Sequence, residues 1–247
     1  MNEHDDLSIL DSEFASPLDH LPAAEATPTP DVEAMLALLQ APEPQQRIIA
    51  ARAFCEVQDE RAIPDLIRLL GDVCPLVRVS AAYGLGRNPS PRAVDPLIAQ
   101  YERDWNGYVR KGLVWALSNC RDRRTLATLT QALRQDIPAV RLWAASGLAQ
   151  LANLTYEDII AVMPPLIAGL RQDPIAAVRS NCAWSLGRLC RELPSNVVYA
   201  TAVDALLETL VEDQDLGVTE DAKAALLSVG DPRGLQMIEA LEQEGLV

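Results

Sequence analysis

The chain has 247 residues, of which 49% are hydrophobic and 4% are aromatic. This length and apolar content suffice for a sizeable buried core, in one large domain or an elongated repeat array, and they exclude collagen-like and low-complexity chains. The five cysteines form no Cys-x-x-Cys pair. An odd count without such a pair excludes a disulfide framework and gives no support for a zinc site of the usual spacing, so we expect thiols in a reducing compartment.

Targeting and membrane signals are weak in this sequence. The longest stretch without a charged residue, Leu142 to Tyr156, is 15 residues long, whereas a bilayer-spanning helix needs about 20 apolar residues. The first ten residues are acidic where a secretory signal would be basic and then apolar. We therefore predict no membrane span and a cytoplasmic location.

The formal net charge of −14 is concentrated at the N-terminus, because residues 1–46 hold ten acids and no Lys or Arg. Residues 1–30 also contain several prolines and no sustained period, which predicts a disordered acidic tail. This tail serves either solubility or the docking of a basic partner. The rest of the chain, residues 31–247, is expected to form one repeat domain. An acidic chain with two lysines also argues against nucleic-acid binding.

Beyond residue 40 the sequence repeats, and each repeat is marked by one anchor position. The side chains three, four and seven residues after each anchor are small or apolar, with Lys223 as the one exception. These offsets fall on one face of a helix, so each segment is predicted to be an amphipathic helix. A second apolar helix precedes each anchor, so the repeating unit is a helix pair. The successive anchors are Arg47, Arg78, Arg110, Arg141, Arg179 and, in the sixth repeat, Thr219.

Two short helices cannot bury their apolar stripes alone, so neighbouring pairs must stack. We predict an all-α superhelix of about six helix pairs, closed by a capping helix from Pro232 to Glu244. Residues 72–86 and 173–187 fit the pattern Asp-x-x-x-x-Val-Arg-x-x-Ala-Ala-x-x-Leu-Gly almost completely, whereas repeats three and four replace the final Gly with Ser118 and Ala149.

This pattern resembles the HEAT repeats, most closely their short phycobilisome-lyase-like form, over about residues 31–245. The resemblance implies a HEAT-like solenoid. Members similar to this chain occur in cyanobacteria and include bilin lyase subunits, phycobilisome-degradation adaptors and an iron–sulfur-assembly-associated HEAT protein. The motifs do not distinguish among these roles.

The anchor arginines are interpreted as structural. They lie on the apolar face, where a guanidinium needs an anionic partner. An Asp stands six residues before four of the anchors and five before Arg141, a placement that suits capping of the helix start and pairing with an Arg of the same or the adjacent repeat. The end repeats depart from the pattern at Ala41 and Thr219, as terminal repeats often do.

Offsets +1, +2, +5 and +9 from each anchor point away from the apolar face, so we predict an exposed surface on the second helices. In the resembled family this helix lines the concave surface. Trp and Arg often dominate interface energetics, which favours partner binding, although the aromatics would alternatively fill the space between neighbouring second helices. The predicted partner-binding residues are Arg52, Tyr83, Arg87, Lys111, Trp115, Asn119, Trp143, Asn181, Trp184 and Arg188.

Other candidate sites are weaker. Cys74 stands just before a helix start, where a thiol pKa is sometimes lowered, but an idle thiol is the simpler interpretation. The cluster Arg121 to Arg124 suits either a phosphate site or a solvated turn. The histidines, His4 and His20, both fall in the predicted tail, so the repeat domain offers no Ser-His-Asp or Cys-His arrangement. No catalytic, metal-binding or cofactor-binding residue is predicted.

The leading hypothesis is therefore a non-enzymatic scaffold, adaptor or chaperone that holds an acidic or amphipathic protein. The resemblance implies clients in phycobilisome or iron–sulfur assembly, while no motif supports a bound bilin or iron–sulfur cluster. The alternative is a bilin lyase or isomerase subunit, in which the propionates of a tetrapyrrole meet Arg87 or Arg188 and its rings stack on Trp115, Trp143 and Trp184. The sequence leaves the oligomeric state open.

Overall fold

The structure is a computed structural model that describes residues 30–151 and 153–244. Within these ranges every regular element is helical and no strand occurs, which confirms the predicted all-α class. The predicted acidic tail lies outside the described residues, except for Pro30.

Thirteen α-helices follow one another over the described ranges, as six pairs and a final helix, which confirms the predicted pairs and cap. Short 3-10 turns at Glu60–Ala62 and Arg123–Thr125 lead into α3 and α7. None of the described helices combines the length and the apolar character needed to cross a bilayer. The helices are α1 Val32–Leu38, α2 Pro44–Glu56, α3 Ile63–Leu69, α4 Pro75–Arg87, α5 Pro91–Arg103, α6 Gly107–Cys120, α7 Leu126–Gln135, α8 Pro138–Gln150, α9 Tyr156–Gln172, α10 Ala176–Cys190, α11 Val197–Glu212, α12 Leu216–Val229 and α13 Pro232–Gln243.

Helix starts follow the local sequence. Proline occupies the first position of α2, α4, α5, α8 and α13, where its missing N–H would have no partner within the helix. Thr155 and Asp158 form a reciprocal capping box at the start of α9. Asn196 caps α11 by accepting the N–H of Tyr199. These signals set where each helix of a pair begins.

The predicted core positions are buried. In repeat two, Ala81, Ala82 and Leu85 are fully inaccessible, and the residues at offsets +3, +4 and +7 are buried in the other repeats, with Lys223 the one half-buried exception. Apolar residues of the first helices, such as Leu97 and Leu166, complete this core. Burying a Leu side chain contributes about 1.5–3 kcal/mol, so these stripes hold each pair together and fix which faces remain outside.

The chain divides into two compact units, with the boundary between Ala116 and Leu117 inside α6. In unit 1 the second helices α2 and α4 pack side by side, and α3 packs against α4. In unit 2, α10 packs against α8, α9 and α12, and α13 covers parts of α11 and α12. Direct packing between successive second helices therefore occurs in each unit.

The anchor arginines pair with the adjacent repeat. In unit 1, Arg47 bonds to Asp72 at 2.8 Å and Arg78 bonds to both oxygens of Asp104 at 2.7 and 3.0 Å. In unit 2, both oxygens of the next carboxylate likewise accept bonds from the guanidinium. These unit 2 pairs are Arg141 with Asp173 and Arg179 with Asp213.

The same arginines also tie down their own repeat through backbone carbonyls. Arg78 donates to the carbonyl of Asp72 at 3.0 Å, and Arg179 donates to that of Asp173 in the same way. The carboxylate of Asp72 accepts the N–H of Cys74, two residues on, so it stabilises the turn between the paired helices. The predicted helix capping by these aspartates is thus corrected, since Cys74 itself occupies the N-cap position of α4.

Hydrogen bonds to the ionised carboxylates keep the pairs charged. The guanidinium of Arg179 is the main cause that lowers the pKa of Asp213 from its ordinary value. Burial acts to raise the pKa of Asp104, but bonds from Arg78, Asn106 and Gln100 outweigh it and the pKa is lowered. The interpretation of the anchors as a structural ladder is therefore supported by their contacts.

Candidate functional site

The second helices expose less surface than their individual periodicity predicts. Offsets +1 and +2 are largely buried in the inner repeats, and the predicted exposure is wrong for Lys111, which is 3% exposed, and Asn181, which is 5% exposed. Asn181 uses its side-chain amide to bond the carbonyl of Ala177 in its own helix. These two side chains are therefore enclosed by protein.

Lateral packing between successive second helices explains this burial. In unit 1 a Cβ on Gly112 would lie 3.4 Å from the Cβ of Ala82, so offset +2 of one helix meets offset +4 of its neighbour. In unit 2 the hydroxyl of Ser180 donates to the carboxylate of Asp221 on the next second helix. Offsets +5 and +9 lie farther from this contact and supply most of the accessible positions.

Unit 1 presents a cationic and aromatic cluster, here named patch 1 and consisting of Arg52, Tyr83, Arg87 and Trp115. The rings of Tyr83 and Trp115 lie 5.2 Å apart between centroids, tilted by 59°. The guanidinium of Arg87 lies 5.9 Å from the indole centroid of Trp115. Arg87 is exposed, whereas the other three side chains are half-buried.

Trp115 in patch 1 also has a packing role. A Cβ added to Gly86 would overlap the indole, so the glycine of the repeat motif provides the space that the ring occupies. The alternative in which an aromatic fills the gap between neighbouring second helices therefore applies to Trp115. The half-buried indole also has Arg87 over its ring.

Cys55 lies within the electrostatic reach of Arg52 and Arg87 but is not activated by them. Burial is the largest influence and raises the pKa of the Cys55 thiol to about 11, although both arginines act to lower it. The thiol is therefore protonated at neutral pH. Patch 1 offers cations and aromatic surface without a thiolate nucleophile.

Unit 2 presents a second cluster, here named patch 2, formed by Trp184 and Arg188 one helical turn apart on α10. Trp184 is 42% exposed, and the guanidinium of Arg188 lies 5.8 Å from its indole centroid. Trp143 and Asn119 are half-buried. No ring contact joins Trp143 to Trp184 within the described ranges. The structure thus brings Trp184 and Arg188 together.

A cavity of about 390 Å³ adjoins patch 2. It lies between the end of α8, the first turns of α9 and the last turns of α10. Arg188 belongs to its lining, so the cavity and patch 2 share a cation. The lining residues are Ala149, Leu151, Asn153, Leu154, Tyr156, Ile159, Arg188, Leu189 and Glu192.

Two further cysteines, Cys182 and Cys190, are buried. Cys182 is fully buried, as expected for a core residue, and burial raises its pKa. Burial likewise raises the pKa of Cys190 to about 12. Cys74 is half-buried at the N-cap of α4. Across residues 30–151 and 153–244, no three His, Cys, Asp or Glu side chains gather into a candidate metal site, and both histidines lie outside those ranges.

The arginine cluster between α6 and α7 is engaged by carboxylates. Arg123 bonds to Asp158 at 2.6 Å and Arg124 bonds to Asp122 at 2.7 Å. The Arg123 guanidinium is the main cause that lowers the pKa of Asp158 to about 2. The contacts favour the interpretation of this cluster as a turn over that of a phosphate site.

An exposed apolar edge in unit 1 was not predicted from the sequence. Arg78 connects the two turns that carry it, because its guanidinium bonds to Asp104 and contacts the carbonyl of Val73. The sequence contains a signal for this edge, because Val73 and Trp105 directly follow a ladder aspartate, where polar turn residues are expected. The edge consists of Val73, Leu76, Trp105 and Tyr108, which are 89%, 43%, 79% and 49% exposed.

The solved structures that resemble this chain include designed armadillo repeat proteins. A designed armadillo repeat protein in complex with the peptide (KR)4 is 20% identical, with a TM-score of 0.64 over 81% of this chain and 100% of that chain. Escherichia coli YibA is 20% identical, with a TM-score of 0.60 over 86% and 75% of the two chains. The CpcE and CpcF complex of phycocyanin lyase from Nostoc sp. PCC7120 is 27% identical, with a TM-score of 0.56 over 68% and 99%.

Sequence comparison points the same way. No curated protein matches this chain at a significant level. The family model described as HEAT repeats matches residues 32–118 and 94–161, and a single HEAT repeat model matches residues 162–193. Together with the repeated helix pairs and the arginine–aspartate ladder, these matches show that the chain belongs to the HEAT-repeat family.

Proposed function

We propose that this protein is a non-enzymatic scaffold, adaptor or chaperone that holds an acidic or amphipathic protein partner on its second helices. One observation carries the proposal: each unit places an exposed guanidinium against an indole, at Arg87 with Trp115 and at Arg188 with Trp184. Among the described residues, neither guanidinium has a carboxylate within ion-pair distance. Each is therefore available to an incoming acid.

The energetics of such pairs suit protein recognition. A cation held over an indole contributes about 0.5–1 kcal/mol at an exposed site, and more once a partner excludes water. Trp adds a large apolar area with few rotatable bonds, and Arg offers a planar fork that binds a carboxylate through two hydrogen bonds. Both residue types are enriched among interface hot spots. Patch 1 and patch 2 each combine the two.

The structural relatives support a binding role in general terms. The designed armadillo neighbour holds a peptide of alternating Lys and Arg, which shows that a related fold accommodates a linear charged ligand. The cations of patches 1 and 2 favour a ligand of the opposite charge in this chain. The resemblance to phycobilisome-lyase-like repeats makes components of phycobilisome or iron–sulfur assembly the first clients to test.

A bilin lyase or isomerase subunit is the second candidate function. It is favoured by the phycocyanin lyase neighbour, which is similar over 68% of this chain. In this proposal the propionates of a tetrapyrrole contact Arg87 or Arg188, and its rings lie against the adjacent tryptophan. Co-expression with a phycobiliprotein and a bilin discriminates the two functions, since a covalently pigmented product appears only if the chain takes part in lyase chemistry.

The leading proposal is tested by identifying the client and then measuring its affinity for purified variants. A photo-crosslinking amino acid at position 191, which is exposed beside patch 2 and leaves Arg188 intact, captures the partner in native cells, and mass spectrometry identifies it. Arg188→Glu should then weaken binding of the purified client, whereas Arg191→Glu should not. Arg191 is the matched control, because it is exposed three residues away and does not line the cavity.

Salt separates charge attraction from packing in this experiment. The affinity of the natural chain for an acidic client should fall as ionic strength rises, and Arg188→Glu should reduce that dependence. Equal loss of affinity in the Arg188 and Arg191 variants would indicate a general effect of net charge. That result would contradict the proposed role of patch 2.

A further inference from the structure

The cavity beside patch 2 combines an apolar floor with a charged rim. Its floor includes Leu151, Ile159 and Leu189, which are 8%, 5% and 3% exposed and come from three successive stretches of unit 2. Its rim includes the exposed side chains of Arg188 and Glu192, one helical turn apart on or just after α10. Such a combination binds an apolar group and orients it through one polar contact.

We propose that this cavity is a subsite for two adjacent residues of the partner protein, an apolar side chain seated on the floor and a side-chain carboxylate bound by Arg188. The inference rests on the proposed function, since it assigns partner chemistry to patch 2. The bound acid is an internal residue of the partner, because the cation that binds it, Arg188, lies at the edge of the cavity and not at its base.

The volume fits this occupant. At about 390 Å³ the cavity lies near the lower end of the range of about 300–1,000 Å³ that holds small ligands. A Leu-sized side chain with part of its backbone fills much of such a space. The floor residues are already packed by their neighbours, so a side chain can be seated on them without a large rearrangement.

Arg188 is held in place for the carboxylate. Its guanidinium lies against Trp184, toward the preceding turn of α10, and leaves Glu192 on the following turn without an ion pair to it. Glu192 follows the end of α10 at Cys190, so the regular helical spacing that brings residues four apart together does not extend to this pair. The guanidinium thus retains hydrogen-bond donors for a carboxylate from outside the chain.

Tyr156 supplies a second polar group on the rim. Its hydroxyl oxygen accepts a hydrogen bond from the side-chain amide of Asn196 at 3.1 Å, which fixes the ring beside the cavity. The hydroxyl proton remains able to donate to an oxygen of the bound segment. Arg188 and Tyr156 therefore offer donors, whereas Glu192 is the one carboxylate among the described residues that line the cavity.

Glu192 gives the proposal a distinctive signature. A carboxylate of the partner bound at Arg188 is repelled by Glu192. Removing this charge should therefore strengthen binding of an acidic segment. A cavity that bound a basic or neutral segment would respond to the same change with weaker or unchanged binding.

The test uses the full chain and a defined probe, acetyl-Glu-Leu-amide, followed by the shift of the Trp184 indole N–H in NMR titrations. Binding of so small a probe is expected with a Kd in the millimolar range. Arg188→Gln should weaken it about fivefold or more, and Glu192→Gln should strengthen it about twofold or more, while the matched control Arg191→Gln leaves it unchanged. All four residues tested or observed are exposed, and circular dichroism verifies that each variant is folded.

Three outcomes would overturn the inference. The first is equal binding of acetyl-Gln-Leu-amide, which lacks the carboxylate. The second is binding only by acetyl-Gln-Leu with a free terminal carboxylate, which would assign the site to a chain end. The third is weaker binding by Glu192→Gln.

The same variants separate this inference from the proposed function. A client whose affinity falls with Arg87→Glu but not with Arg188→Gln would overturn the cavity assignment and leave the scaffold proposal intact. A client that responds to neither would contradict the scaffold proposal itself.

Discussion

Arg141 connects two repeats through one side chain. Its guanidinium bonds to both oxygens of Asp173 at 2.6 and 2.8 Å, and it donates to the backbone carbonyl of Asp136 at 2.8 Å. The side chains of this pair are 15% and 7% exposed. Because the carboxylate is enclosed, removal of the Arg leaves a nearly buried charge without its partner.

We expect Arg141→Ala to lower the free energy of unfolding by about 3–5 kcal/mol, measured by urea denaturation. The matched control is Arg171→Ala, since Arg171 forms an equally well-aligned pair with Glu208 whose side chains are 35% and 49% exposed. An exposed pair contributes up to about 1 kcal/mol. Similar losses in both variants would contradict the structural role assigned to the anchor arginines.

The ladder also predicts a pH dependence. The folded-state pKa of Asp213 is lowered, mainly by its bond with Arg179, so its stabilising effect is complete above the unfolded pKa of about 3.9 and is lost as the pH falls through the lower folded value. Asp213→Asn should therefore flatten the decline of unfolding free energy below about pH 4. An unchanged slope in acid would contradict this assignment.

The sequence predicted the ladder but not its connectivity. Periodicity placed the anchors on the apolar face, and the spacing of Asp72 and Asp173 identified acids near each helix start. Each Asp could pair with the Arg of its own repeat or with that of a neighbour. The choice depends on how the repeats stack, and the sequence of a single repeat does not determine that stacking. The structure places the bond in the adjacent repeat, so the ladder joins repeats as well as stabilising turns.

At the scale of the helix, close approach of neighbouring second helices determines which positions remain accessible. A Cβ on Gly187 would lie 2.7 Å from the Cβ of Ala225, so α10 and α12 meet at a glycine of the repeat motif. At Gly71, in the turn after α3, the nearest atom to an added Cβ is the carbonyl oxygen of Arg68 at 3.7 Å, an ordinary van der Waals distance. The two glycines therefore differ in packing.

We expect Gly187→Ala to lower the free energy of unfolding, because overpacking typically costs about 1–3 kcal/mol and exceeds the helix-propensity gain of about 1 kcal/mol. Gly71→Ala should be close to neutral. Chemical denaturation of both variants measures the difference. A stabilised Gly187→Ala variant would show that α10 and α12 separate readily, contrary to the packing described here.

Helix positions were largely predictable, whereas helix neighbours were not. The predicted cap from Pro232 to Glu244 corresponds to α13, Pro232–Gln243. The amphipathic pattern of one helix identifies its apolar face but carries no information on lateral contacts, so the burial of Lys111 and Asn181 was missed. Trp115 illustrates the same limit, since it contributes both to packing over Gly86 and to patch 1.

At the scale of the molecule, the distribution of charge should influence how fast an acidic partner binds. Residues 1–29 carry seven acids and no Lys or Arg, half of the formal net charge of −14. Their deletion should increase the association rate of an acidic client at low salt, because long-range repulsion decreases. The gain should disappear at high salt, where the Debye length is about 3 Å at 1 M.

Stopped-flow association of the full chain and the shortened chain measures this effect. The dissociation rate should remain nearly constant, since the proposed contacts lie in patches 1 and 2. A slower association after deletion would instead show that residues 1–29 assist binding, as a docking segment would.

The class of fold followed from the sequence because its signal recurs six times, whereas the client did not. Partner identity depends on which side chains at offsets +5 and +9 remain accessible once the repeats have stacked. The cavity beside Arg188 illustrates this, since it combines residues from Ala149 to Glu192 that share no sequence motif. A repeat pattern encodes the scaffold, and local departures from it form the binding surface.

The most direct test of the account is the affinity of the identified client for Trp184→Ala, measured together with the stability of that variant. Because Trp184 is 42% exposed, we expect its loss to change the free energy of unfolding by less than about 1 kcal/mol. Client binding should weaken by about 2 kcal/mol or more, roughly thirtyfold in Kd. Full client affinity in a stably folded Trp184→Ala variant would contradict partner binding at patch 2.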